Sequence, residues 1–296
     1  MTRATITAGA AGTWTLGDLT VNRIGLGAMR LTRNADGTPV DRDRAITVLR
    51  RALDLGVNHI DTAAFYFSPL RSANELINRA LAPYPADLVI ATKVWPGRDP
   101  AGEWWWATPA QLRGQVEENL RQLGRDHLDV VNLRLPRRMT TGSIAEHFGT
   151  LAGLRDAGLV RHLGISNVTA AHLSQARAIA PVVCVQNAFG IGATAGEHEL
   201  LRACGELGVA YVPFFAIAGQ GREAGVGPAP GDEEIRAVAK AHGVTAAQVR
   251  LAWTLQLGAH VLAIPGTGNP AHLEENVAAG TLRLSAREMR RLSSVR

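Results

Sequence analysis

The sequence predicts an α/β fold: a (β/α)8 (TIM) barrel with an N-terminal β-hairpin covering its floor, with residues 1–296 forming one domain. Three observations carry this. Eight short apolar runs alternate with longer amphipathic stretches of helical period. Glycine follows several of those stretches, where a helix C-terminus needs a left-handed residue. Polar residues collect where the apolar runs end. A doubly wound parallel sheet is the alternative arrangement of the same elements.

In chain order, TWTLGDLTV reads as a hairpin, with Gly17 and Asp18 supplying the turn. The strand candidates are RIGLG (23–27), VNHI (57–60), LVIAT (88–92), LDVVNL (128–133), RHLGI (161–165), VVCVQ (182–186), VAYVPFF (209–215) and HVLAI (260–264). Between them DRAITVLRRALDLG, ANELINRALA, PAQLRGQVEENLRQLG and AEHFGTLAGLRDAG repeat apolar residues at helical spacing. No Pro/Gly/Ser linker divides the chain, and GREAGVGPAPGD (221–232) reads as a surface loop.

Bulk properties exclude several classes. Lys and Arg number 31 against 26 acids, but the arginines are scattered through helix-like segments, with no basic tail or aromatic-interleaved stripe, so no nucleic-acid partner is expected. Cys184 and Cys204 make no disulfide framework, and no Cys and His spacing resembles a zinc site, so no metal is assigned. The start lacks the apolar core of a signal peptide and no run is long enough to span a bilayer; the expectation is a cytoplasmic protein with no membrane partner.

Barrel active sites sit where strands end. Asp61 closes the second run, Lys93 the third, Asn132 and Arg134 the fourth, Ser166 and Asn167 the fifth, and Gln186 and Asn187 the sixth. Lys93 is one of only two lysines, the other being Lys240, in a chain that otherwise writes its cations as Arg. A lysine at the end of an apolar strand points to a use for a compact ammonium. With Tyr66 nearby, the chemistry is proton donation: a free phenol, of pKa about 10, is too weak an acid near neutrality, and an adjacent ammonium favours its ionised form. Asp61 would hold that ammonium, since an unpaired buried ion is costly. Taken singly, Asp61 reads equally as a helix cap or structural ion pair, Tyr66 as a core phenol and Lys93 as surface. Their joint occurrence in the barrel pattern favours a site.

These residues lie in motifs that carry a resemblance. GLGAMRL, GVNHIDTAAFY followed by NELI, IATKV, VEENLRQLGRDHLDVV, LRDAGLVRHLGISNVT, VVCVQN and AIPGTGNPAHLEEN together resemble the aldo-keto reductases over essentially the full length. The resemblance implies Tyr66 as general acid tuned by Lys93 and Asp61, and hydride delivery from NADPH held extended across the barrel mouth without a Rossmann fold. It implies that Ser166, Asn167 and Gln186 hydrogen-bond the carboxamide and that Phe214 stacks on the nicotinamide. Gly27 and Met29 of the first motif would also meet the cofactor, and Gly266, Thr267, His272, Glu275 and Asn276 would hold the adenosine phosphate. Gly219 and Gln220, in a GQGREAG stretch of the wrong register for a dinucleotide fingerprint, are placed as a flap over the pyrophosphate.

Two departures matter. Arg134 stands where the family usually has His, and a guanidinium can donate hydrogen bonds but cannot pass a proton on, so a mechanism needing neutral imidazole is excluded. Arg134 is read as orienting the carbonyl or a substrate anion, as helping to acidify Tyr66, or as simply pairing with Asp129 or Glu103 across the rim. Gly266 and His272 replace the Lys and Arg of the usual phosphate clamp; NADPH is still expected over NADH, because Thr267 and loop amides can bind phosphate and the resembled family more often uses it.

For the substrate, WPGRDPAGEWWWATP (95–109) carries four of the six tryptophans. Trp95, Trp104 and Trp106, with Phe65 and Phe67 flanking Tyr66, read either as loop packing or as an apolar pocket for an aromatic or polycyclic carbonyl. Asn132 shares the strand parity of Arg134 and is expected to face the same space. Ser166 and Asn167 are read as cofactor contacts or as caps of the following helix. The expected function is reduction of a small-molecule aldehyde or ketone by NADPH. Reduction of a C=N or conjugated C=C bond is the near alternative, and a nucleotide-binding regulatory subunit with little turnover is the alternative of another class.

Overall fold

The computed structural model describes residues 6–34, 37–136, 139, 141–217 and 231–295. Strands β1 (Thr13–Leu16) and β2 (Leu19–Asn22) form the predicted antiparallel hairpin. Gly17 turns it at φ 68, and a Cβ there would lie 2.2 Å from the His162 ring, so the turn accepts neither a side chain's backbone strain nor its bulk.

The barrel follows. In order the elements are β3 (Leu26–Gly27), α1 (Arg42–Asp54), β4 (His59–Asp61), a small hairpin β5 (Phe67–Ser68) and β6 (Arg71–Ser72), α2 (Ala73–Leu81), β7 (Val89–Val94), a second hairpin β8 (Pro96–Arg98) and β9 (Trp104–Trp106), α3 (Leu112–Leu123), β10 (Leu128–Arg134), α4 (Ala145–Asp156), β11 (Val160–Ser166), α5 (Ala170–Ile179), β12 (Cys184–Gln186), α6 (Ala195–Glu206), β13 (Ala210–Tyr211), α7 (Asp232–His242), α8 (Ala246–Gln256), α9 (Pro270–Ala278) and α10 (Ala286–Ser293). Seven strands run parallel in the order β13-β12-β11-β10-β7-β4-β3. The eighth predicted run forms single parallel bridges, Val261 with Tyr211 and Ala263 with Ile24, and these close the sheet into a (β/α)8 barrel.

Two-residue alternation sorts the strands' side chains into two cores. Ile60, Ile90, Val131, Leu133, Leu163, Ile165 and Val185 point outward into the layer beneath the helices. Val89, Val130, Cys184, Ala210 and Leu262 point inward, where Leu16 and Val21 of the hairpin join them as a plug. Asp18 locks that plug: its carboxylate oxygens lie 2.6 Å from the Arg161 guanidinium and 2.6 Å from His162 Nε2, at the start of β11. The hairpin therefore covers the N-terminal floor. The ends of the same strands, opposite the floor, carry Asp61, Lys93, Arg134, Ser166 and Gln186.

Candidate active site

Inward parity brings the site residues together. In β7 the inward positions run Val89, Ala91, Lys93; in β4 they are His59 and Asp61; in β10, Val130, Asn132 and Arg134. Lys93 and Asp61 thus meet across adjacent strands, with Lys93 Nζ donating to Asp61 Oδ1 at 2.6 Å and to the Thr62 carbonyl at 2.9 Å. Both side chains are buried, 1% and 5% exposed. Gln186 Nε2 donates to the other Asp61 oxygen at 2.7 Å, so the carboxylate is held from both sides. The ammonium lies 4.9 Å from the Tyr66 ring centroid. Among the described residues the Tyr66 hydroxyl has no hydrogen-bond partner, and Tyr66 stands on the wall of a cavity of about 900 Å³ at the barrel mouth.

A polar network behind the strands fixes these positions. Thr62 Oγ1 donates to Asn74 Oδ1 (2.8 Å), Asn74 Nδ2 to Asn119 Oδ1 (3.0 Å), and Thr92 Oγ1 to the same Asn119 oxygen (2.6 Å). All four residues are fully buried, and a satisfied buried network of this kind ties α2 and α3 to the strand ends. Asn74 and Asn119, within NELI and VEENLRQ, were passed over on sequence; an Asn on the apolar face of a helix was the available signal.

Other groups inside the barrel stay uncharged. Burial pulls the His59 imidazole down to about 4 and pushes the Cys184 thiol up to about 12. The imidazole packs where neighbouring Gly25 has no side chain; a Cβ on Gly25 would fall 2.2 Å from the ring.

On the cavity wall with Tyr66 and Asp61 stand Gly27, Met29, Arg134, Asn167, Phe214 and Gly266, and from the aromatic set Phe65, Phe67, Trp104 and Trp106. Arg134 Nη1 donates to Ser166 Oγ at 3.1 Å, and its guanidinium lies 4.9 Å from the Phe214 ring centroid. The expected alternative partner, Asp129, sits at the other end of β10, held by Arg125 at 3.0 Å and by the Ile90 amide at 2.8 Å. Ser166 and Asn167 do not cap α5, whose cap is Thr169; Asn167 takes a left-handed φ of 58 and donates to the Leu135 carbonyl at 3.0 Å.

Three expectations are placed elsewhere. Trp95 lies off the wall: its φ of 92 breaks the alternation that would aim it inward, and its ring stacks on His147 at 4.1 Å. Asn132 does point inward but one layer lower, accepting from Cys184 Sγ at 3.4 Å. Thr267 is buried and accepts from the Asn269 amide at 3.0 Å, and His272, Glu275 and Asn276 lie on α9, outside the cavity wall. Gly219 and Gln220 lie outside the described residues.

Sequence reasoning missed the cations. Arg30, Arg33 and Arg98 line the cavity, and Arg30 packs beside Gly266, its Cγ 3.6 Å from where a Cβ on that glycine would stand. The stem of Arg30, in the 3-10 turn Ala28–Leu31 that follows β3, therefore packs at the glycine where the expected clamp lacked a charge.

The residues fit a nicotinamide. Gln186 Oε1 is a buried acceptor without a partner among the described residues, suited to an amide N–H. Gly27 and Gly266 present bare backbone to the cavity, and Phe214 offers an aromatic face.

Comparison with known proteins identifies the family. The model of the aldo/keto reductase family matches residues 23–296. The chain is 44% identical over 292 residues to pyridoxine 4-dehydrogenase of Escherichia coli (strain K12), covering 97% of this chain and 99% of that one. It is 37% identical to an uncharacterised oxidoreductase of Schizosaccharomyces pombe, over 95% of this chain and 89% of that one. An aldo-keto reductase of Klebsiella pneumoniae, solved in complex with NADPH, superposes with a TM-score of 0.76 at 27% identity, covering 95% and 93%. The chain belongs to the aldo/keto reductase family and is an NAD(P)H-dependent oxidoreductase.

Proposed function

We propose that this member of the aldo/keto reductase family reduces an aromatic or heteroaromatic aldehyde or ketone to the alcohol with NADPH, Tyr66 giving the proton. The observation that carries the reading is the Tyr66 hydroxyl on the cavity wall, without a hydrogen-bond partner among the described residues, with the Lys93 ammonium 4.9 Å from its ring centroid. When bound, the cofactor supplies the hydride that adds to the carbonyl carbon. Tyr66 donates its proton to the carbonyl oxygen as negative charge grows there, and bulk water restores it. The ammonium stabilises the charge left on the phenol oxygen. Asp61 keeps that ammonium in place, and Gln186 keeps Asp61 in place. Arg134, always protonated, donates hydrogen bonds at the rim and relays no proton.

NADPH is favoured because Arg30 stands beside Gly266 and because the Klebsiella pneumoniae relative holds that cofactor. The aromatic wall suits a planar substrate, and the Escherichia coli relative's name points to the alcohol–aldehyde pair of pyridoxine as the first compounds to try. The test is fluorescence titration with both nicotinamides, then a carbonyl panel including pyridoxal, on wild type and Tyr66→Phe. Tyr66→Phe should bind NADPH as tightly as wild type and lose about 10²- to 10⁴-fold in kcat. Full activity in that variant would remove Tyr66 as the acid; tight NADPH binding with no oxidation by any carbonyl would favour a binding subunit.

A further inference from the structure

We infer that the cavity selects carbonyl compounds whose ring carries an anionic oxygen substituent, and that Arg98 is the residue that reads it. The inference rests on the carbonyl-reductase reading and names its substrate class. Among the described lining residues, the guanidiniums of Arg30, Arg33, Arg98 and Arg134 stand with one carboxylate, that of Asp61, which Lys93 and Gln186 already occupy. Among the described residues Arg98 thus brings to a largely apolar space a positive charge that no carboxylate of the wall offsets, and a complementary anion is favoured there.

The cations divide by position. Arg30 lies beside Gly266, and Arg134 is bonded to Ser166 against Phe214, the end where the cofactor would bind. Arg98 belongs to the other end. It sits in the β8–β9 hairpin, its guanidinium 5.2 Å from the Phe67 centroid and 5.4 Å from that of Trp104. Its Nε donates to the Gly102 carbonyl at 3.1 Å, which fixes the plane of the fork. Among the described residues no carboxylate pairs with it; its hairpin neighbour Asp99 accepts instead from the Glu103 amide at 2.8 Å. A guanidinium flanked by two rings, held by its Nε and without a carboxylate partner among the described residues is pre-organised for a two-oxygen anion.

The path from acid to cation is aromatic throughout. Tyr66 meets Phe65 edge-on at 5.1 Å, and Phe65 meets Trp104 at 5.4 Å, next to Arg98. A planar ring lying along these side chains would present its carbonyl to Tyr66 and its substituent to the guanidinium.

The test compares 4-carboxybenzaldehyde with 4-formylbenzamide, close in shape and different in charge, on wild type, Arg98→Gln and Arg98→Lys. Wild type should prefer the carboxylate. Arg98→Gln should lose about 10- to 100-fold in kcat/KM for it, chiefly through KM, with the amide changed less than about 3-fold, and Arg98→Lys should recover part of the loss. Binding of benzoate against benzamide, read by tryptophan fluorescence, should show the same Arg98 dependence without turnover. If neither aldehyde is reduced while benzoate binding still depends on Arg98, the reductase reading fails and the anion site stands. If Arg98→Gln lowers both substrates equally, or neither, Arg98 only supports the hairpin and the inference is overturned.

Discussion

Replacing Lys93 by Met strikes the centre of the site and its stability together. The ammonium and the Asp61 carboxylate are 2.6 Å apart, with 1% and 5% of their side chains exposed, so neither can turn to water when the other is lost. Removing one partner of such a pair costs about 3–5 kcal/mol, because the remaining charge is left buried. Gln186 Nε2 still donates to Asp61, which places the expected loss towards the lower end of that range. Guanidinium unfolding should show the loss as a lower midpoint with an unchanged slope. Adding Asp61→Asn removes the stranded charge, so Asp61→Asn with Lys93→Met should regain most of the stability and none of the activity. Both variants should lose about 10²-fold or more in kcat/KM. A Lys93→Met protein that unfolds within about 1 kcal/mol of wild type, or a double variant no more stable than the single one, would refute the buried-pair argument.

Two further outcomes are expected. Burial holds His59 at about 4 in the folded chain against an ordinary value near 6.5, so the folded state binds fewer protons between those values and stability should rise with pH across that window. With other conditions equal, the unfolding free energy at pH 4.5 should be lower than at pH 7 by on the order of 2 kcal/mol from this group, and His59→Asn should lack that share; an equal pH dependence in the variant would assign the effect elsewhere. Gly17→Ala forces a side chain into φ 68 and onto the His162 ring, and should raise hydrogen exchange in β1 and β2 while leaving kcat unchanged, because the hairpin closes the floor and not the mouth. Unaltered protection there would show that the turn tolerates the strain.

Much of the barrel was legible because strand and helix periods are local properties. Each of the eight apolar runs falls on a strand or a bridge of the sheet, and the inward parity that places Val89 also places Lys93. Chain order alone likewise put Asp61, Arg134 and Ser166 at strand ends. Periodicity stops at the last strand residue, however. Trp95, one step beyond β7, turns away on a positive φ held by Gln115, whose Oε1 accepts from its amide at 2.7 Å. Nothing in the local sequence encodes that contact.

The sequence by itself determined the (β/α)8 alternation, the faces of the strands and the residue types at their ends, because these follow from two-residue and helical spacing. Only the tertiary structure decided that Arg30 meets Gly266, that Asn74 and Asn119 brace the strand ends from behind, and that Arg98 lies across Phe67 and Trp104. Apart from Trp104, which faces Arg98 across one hairpin, those neighbours come from segments far apart in the chain. Their approach is set by how the sheet closes and how each loop leaves it, which no spacing along the sequence records.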